Sequence, residues 1–218
     1  MTDTNNIPDF SGDDFANDKE ILEHRAAIKA YEKMIDDSLS IIGQELKLAT
    51  ASHINLKGFH MFKSLSAIIT SSMKSVDQSY ELRASLAEYT SSYPVPRNPN
   101  TGTDLYLFGH LVLKKNYPKT YIHKETIKEK IEDLFLKRDL DFPHSRKFSR
   151  KFQVMTEDKE GLHQLLQFKN LDPLTAFPDM EMELSGNTAL FRNSRSAISI
   201  EEATDFCKLS KALLTIFN

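Results

Sequence analysis

The chain has 218 residues, 40% of them apolar, with 28 Lys and Arg against 31 Asp and Glu and a formal net charge of −3. That length supports one domain or two small ones with a core that needs no covalent staples. The near balance of charge argues against a whole-protein field built for nucleic acid, so no nucleic-acid partner is expected. No long stretch is apolar and charge-free enough to span a bilayer.

Residues 1–17 carry Asp3, Asp9, Asp13 and Asp14, no basic residue, and the breakers Pro8 and Gly12. This reads as a disordered acidic tail rather than a secretory leader. Its apolar exceptions, Ile7, Phe10 and Phe15, are candidate anchors to a groove on this protein or a partner.

From Asp18, a plausible N-cap, a helical pattern begins. Ile21, Ile28, Tyr31, Ile35, Leu39, Ile42 and Leu46 recur at spacings of three, four or seven and share one face. A second stripe over 58–91, through Phe62, Leu65, Ile69, Met73, Val76, Tyr80 and Ala87, predicts a second helix. Together they predict an antiparallel helical hairpin over 18–92. Its apolar faces need a third surface, either the C-terminal half or a second copy in a homodimer. Residues 93–103, with Pro94, Pro96, Pro99 and Gly102, read as a linker and domain boundary.

After the linker the period changes. Asp104–Lys115 reads as a buried strand, with Gly109 marking a bulge or close packing. Residues 119–123 predict a short strand, and 124–138 a helix with Ile127, Ile131, Leu134 and Phe135 on one side. Residues 148–155 predict a strand. A short helix follows at 159–168 with Leu162, Leu165 and Leu166 inward, then another turn at 172–177. Residues 180–184 and 188–191 flank a tight hairpin turn at Ser185–Asn187. Ser199-Ile-Glu-Glu202 resembles a capping box opening a last helix to about 216. The predicted class is α+β: a long helical hairpin followed by a small antiparallel-sheet domain over 104–218 with helices packed on it.

The usual signatures of chemistry are absent: no phosphate-cradling loop, dinucleotide fingerprint, H-E-x-x-H or nucleophile elbow. No catalytic residue, metal site or cofactor is assigned. His53 and His60, seven apart, would lie about 10 Å apart on a helix, too far to share a metal. His110 sits in an apolar strand and reads as a core histidine; as a general base it lacks a visible partner. Glu181 and Glu183 share a strand face, which reads as exposed. Cys207, the single cysteine, excludes an internal disulfide and fits a reducing cytoplasm. It reads as a small core residue among Phe206 and Leu209. Residues 114–151 hold twelve Lys and Arg against six Asp and Glu. The densest part is Arg146, Lys147, Arg150 and Lys151. On a strand these basic residues would alternate between faces, either guarding an edge or forming a patch for phosphate, anionic headgroups or an acidic partner.

Two segments, Leu107-Phe-Gly-His-Leu-Val-Leu through Ile122 and Phe148-Ser-Arg-Lys-Phe-Gln-Val through Glu160 with the strand pair at 180–191, resemble a bacterial family of uncharacterised, usually membrane-anchored proteins with a soluble α+β domain. The resemblance covers roughly residues 103–195. It implies a small α+β module and no catalytic residue. The family's membrane helices have no counterpart here, and the helical hairpin stands in their place.

The leading expectation is therefore a non-enzymatic protein-interaction module: a soluble, cytoplasmic bacterial adaptor, regulatory or immunity-like protein that binds another protein. Phe10, Phe15, Arg146, Lys147, Arg150 and Lys151 are its candidate partner-binding residues. Two alternatives stand beside it: a hydrolase with a site near His110 or Cys207, and a peripheral membrane binder acting through the 146–151 patch. A bilayer is a partner under that last reading alone.

Overall fold

The computed structural model describes residues 19–63, 67–77, 79–89, 104–124, 140 and 142–217. The tail at 1–17, with Phe10 and Phe15, the linker at 93–103, and all but Lys124 of the helix predicted at 124–138 lie outside these residues.

The first helix forms as its pattern predicts: α1 runs Lys19–Leu46, with Lys33 bonded to Asp37 one turn on at 2.6 Å. It ends where Lys47 turns left-handed (φ 52°), the usual conformation just past a helix C-terminus. The chain then enters a short edge strand, β1 (Leu48–Thr50).

The second helix does not form. In its place stand a single turn, α2 (His60–Lys63), and two strands, β2 (Ala67–Ser75) and β3 (Glu81–Tyr89). The physical reason lies in side-chain type. Ile68, Ile69, Thr70, Ser71 and Ser72 are β-branched or hydroxylated residues that favour extended backbone over helix. The Ser72 and Ser85 hydroxyls bond across the two strands at 2.9 Å. Leu82, Ala84 and Leu86 are buried at a period of two. The surface that α1 needs is supplied by the C-terminal helix α5 (Ile200–Phe217), and Lys211 of α5 meets Glu45 of α1 at 2.5 Å.

The boundary expected at 93–103 is bridged by the sheet. β3 pairs antiparallel with β4 (Leu105–Lys124) from Glu81 opposite Val112 to Glu88 opposite Leu105. Both sides of that segment therefore share one core.

The centre of the sheet is built from β4 and β6 (Glu181–Arg192). Twelve extended residues span about 36 Å. Yet an Arg192 guanidinium nitrogen lies 2.6 Å from a Glu181 carboxylate oxygen, so β6 doubles back on itself. It does so at the predicted turn, where Gly186 adopts φ +58°, as the first central position of a II′ turn requires. β4 bends around that tip. Its first arm pairs with Thr188–Phe191 and its second with Met182–Leu184, with register shifts between. The second arm also pairs with β5 (Phe152–Thr156). The two strands predicted at 104–115 and 119–123 are these arms. The antiparallel sheet runs β1, β2, β3, first arm of β4, hairpin β6, second arm of β4, β5.

One face carries Leu107, Leu111, Ile122, Val154, Met182, Leu184, Ala189 and Phe191 into the main core, beneath α1, α5 and α4 (Lys159–Leu166). Gly109 lies here for close packing rather than as a bulge: a Cβ built on it would fall 2.0 Å from the Phe191 ring. Asp158 caps α4, accepting the Gly161 N–H at 2.9 Å. The cap predicted at Ser199 is present and accepts the Glu202 N–H at 3.1 Å, while Asp18 lies outside the described residues. The carboxylate of Glu202 does not close the box; it accepts from Asn193 and Ser194 instead.

Candidate functional site

The other face of the sheet holds a cluster of buried charged and polar side chains. Reversal at Gly186 sets Glu181 across from Arg192 on neighbouring arms, while the register of β4 brings Tyr121 and His123 alongside. Both Glu181 and Glu183 are fully buried, and Arg192 and His123 are 3% exposed. The exposed acidic strand face expected at 181–183 is thus corrected.

Glu181 is a hub. One carboxylate oxygen accepts from Arg192 Nη2 at 2.6 Å and from the Tyr121 hydroxyl at 2.9 Å. The other accepts from Arg195 Nε at 2.5 Å. Burial alone would raise its pKa, and is the largest single effect, but the two guanidiniums together outweigh it and hold the carboxyl below its ordinary value. The Arg192 guanidinium also lies over the Phe108 ring, 5.9 Å from its centre. His123 packs beside Tyr121 at 5.0 Å and bonds the Lys124 carbonyl through Nδ1.

Glu183 serves the segment that covers this face. Its two oxygens accept the backbone N–H groups of His60 and Met61, at 2.9 and 2.8 Å. This pins α2 so that Leu56, Phe59, Met61 and Phe62 seal Tyr106, Phe108, Tyr121 and Leu190. Arg83 holds the same segment further along, through the Ser52 carbonyl at 3.1 Å.

His110 lies on this face with Phe59 edge-on at 5.9 Å. Its Nδ1 is buried without a hydrogen-bond partner. Desolvation pushes its pKa down; the Glu81 charge opposes this and that of Arg83 adds to it. Cys207 is buried in the main core, and that burial pushes its thiol up to about 11, far from the thiolate form a nucleophile needs. Both residues named for the hydrolase reading are packed against apolar side chains. Among the described residues, no group of three His, Cys, Asp or Glu side chains is placed to hold a metal ion.

The basic cluster is not on a strand. Arg146, Lys147 and Phe148 belong to a one-turn helix, α3 (Arg146–Ser149), and β5 begins only at Phe152. Asp172 accepts the Lys147 and Phe148 N–H groups, both at 3.1 Å, and thereby sets that turn. Phe148 is driven fully inward. Arg146, Lys147 and Arg150 are exposed, while Lys151 is half-buried and spends its ammonium on the Thr175 carbonyl at 2.6 Å. Of the four basic candidates, three therefore face solvent.

Sequence reasoning missed the Glu181 hub, although one signal for it was present. A two-residue turn at Gly186-Asn187 places residue 181 opposite residue 192, so acid and base at those positions must meet.

Fold and site together define an α+β protein whose buried charges brace a sheet and its covering segment. No family model matches the chain, and no curated protein matches its sequence. Among solved structures, it is similar to the mycobacterial trehalose monomycolate transport factor A, TtfA. The TM-score is 0.46 at 10% identity, over 84% of this chain and 95% of that one.

Proposed function

We propose that this protein is a non-enzymatic binding module of the adaptor or regulatory kind, which takes an extended, uncharged segment of another protein onto the outer edge of β2. The observation that carries this is the open edge itself. β1 pairs with β2 only from Ser75 to Met73, and Ala51 adds one bond to the Ser72 carbonyl. Among the described residues, the edge from Ala67 to Ser71 has no paired strand. An unpaired edge presents a row of N–H and C=O groups to a partner strand. No charged residue stands between Ala67 and Met73 to repel one, and Ile68 is 60% exposed. The shift between Ile69 and Ser71 keeps the added pairing short. The commitment of Glu181, Glu183 and Arg192 to internal bonds supports a structural rather than reactive role for the buried polar groups.

The test uses the full chain and its Ile68→Lys variant as baits in a lysate, with cross-linking from position 68 to map the bound segment. A partner bound by the parent through an extended uncharged segment, and lost with Ile68→Lys, is the expected result. A partner retained by the variant overturns the reading. So does a dimer of the chain itself that the substitution dissolves, since the occupant is then a second copy.

A further inference from the structure

Phe168 is 92% exposed. A lone aromatic ring so fully in water is uncommon for a folded chain. It stands at the apex of the turn between α4 and the 3-10 turn Asp172–Ala176. The turn holds it there by construction. Leu166 on one side is fully buried and Leu171 on the other is 1% exposed, so both ends are drawn into the core and the residues between are pushed out. Lys169 N–H bonds the Leu166 carbonyl at 2.9 Å, and Asn170 accepts the Asp172 N–H at 3.1 Å.

The same turn is fastened to α3. His144 bonds the Leu166 carbonyl at 3.1 Å, the Ser145 hydroxyl accepts the Leu171 N–H at 3.0 Å, and Asp172 takes the two α3 amides already described. These bonds fasten the turn that carries Phe168 to the turn that carries the exposed Arg146, Lys147 and Arg150. Asp172, the acidic residue of the turn, directs its carboxylate at the α3 backbone. Lys169 turns its ammonium away, onto the Ile216 carbonyl and the Phe217 ring.

We infer that this corner is a docking site for an anionic phospholipid bilayer, with the Phe168 ring entering the headgroup–acyl boundary and Arg146, Lys147 and Arg150 lying against the headgroups. This goes beyond the β2-edge reading and uses a separate surface. An aromatic side chain on a convex turn that is fastened to a cationic one suits a deformable anionic surface: the ring gains from leaving water and the cations from the surface potential. The site is peripheral. Among the described residues, no helix is long and apolar enough to cross a membrane.

The chain contains no tryptophan, so Phe168→Trp installs a single indole reporter at the apex. The full chain carrying it is mixed with vesicles of phosphatidylglycerol and phosphatidylcholine, or of phosphatidylcholine alone. With anionic vesicles the indole emission shifts to the blue and is quenched by brominated acyl chains; with neutral vesicles it does neither. In sedimentation of the native chain, each of Arg146→Gln, Lys147→Gln and Arg150→Gln weakens binding about fivefold, and Phe168→Ser weakens it about tenfold or more. Far-UV circular dichroism confirms that these exposed substitutions leave the fold intact. Three results overturn the inference: no binding to anionic vesicles at low salt, binding that the three glutamine substitutions leave unchanged, or binding in which the indole stays unquenched. The last would mean contact by charge without insertion.

Discussion

Replacing Glu181 with Gln removes one formal charge and almost no volume, so its effect isolates electrostatics from packing. Arg192, 3% exposed, would be left as a buried cation facing a neutral amide. Arg195, whose side chain is 39% exposed, can turn to water, so its share of the loss is small. Breaking a buried ion pair by neutralising one partner costs about 3–5 kcal/mol. We expect about 3 kcal/mol or more, since the Tyr121 hydroxyl retains an acceptor. That is a large part of the roughly 5–15 kcal/mol that holds a domain folded. For a chain of this size it corresponds to a fall in Tm of about 6–12 °C. Urea unfolding followed by far-UV circular dichroism measures it, and a double-mutant cycle with Arg192→Met separates the pair from its surroundings. The pH dependence carries a sign. The folded carboxyl titrates below its ordinary value of about 4.5, so its contribution is present above that pH and is lost as pH falls through the folded pKa. The parent should lose stability in that acid range, and Glu181→Gln should lack this component. A loss below about 1 kcal/mol, or additivity with Arg192→Met, would refute the hub as a source of stability.

Three other outcomes follow from the packing. Gly109→Ala should cost about 1–3 kcal/mol, because the added methyl meets the Phe191 ring, and Phe191→Leu in the same chain should restore part of it; a neutral Gly109→Ala would show that the ring yields freely. Glu183→Ala should leave the fold standing but release its covering segment, read as faster amide exchange at His60 and Met61 than at the β3–β4 ladder; unchanged protection there would show that the apolar contacts alone hold α2. Cys207 should resist iodoacetamide at neutral pH in the folded chain and react on denaturation, as a buried thiol pushed up to about 11 requires. Native-state alkylation would contradict that burial.

The elements legible in the sequence were those that one local rule decides. α1, α4 and α5 carry a period near 3.6, and the reversal at Gly186 carries its own turn chemistry. The 58–91 segment failed because its apolar residues fit two periods at once. Ile69, Met73, Val76 and Tyr80 satisfy a helical stripe, while Leu82, Ala84 and Leu86 satisfy a strand. The hydroxyl-rich run at Thr70–Ser72 decided for the sheet. The 148–155 strand failed at its start for a non-local reason: Asp172, more than twenty residues on, supplies the acceptor that turns α3. The buried acid–base hub was hidden because burial of Glu181 depends on a covering segment that another acid, Glu183, pins from over a hundred residues away.

The wrapping of β4 around the β6 tip fixes an order of events as the chain leaves the ribosome. Both arms of β4 are synthesised long before Glu181–Arg192, the hairpin that must lie between them. Until that hairpin arrives, each arm has one edge without its native partner, and the arms lack the strands that join them across the sheet. Pairings this distant in sequence are slow, and open edges invite association with other chains. Any nascent chain stopped before Glu181 therefore exposes two strand edges that are paired in the finished protein.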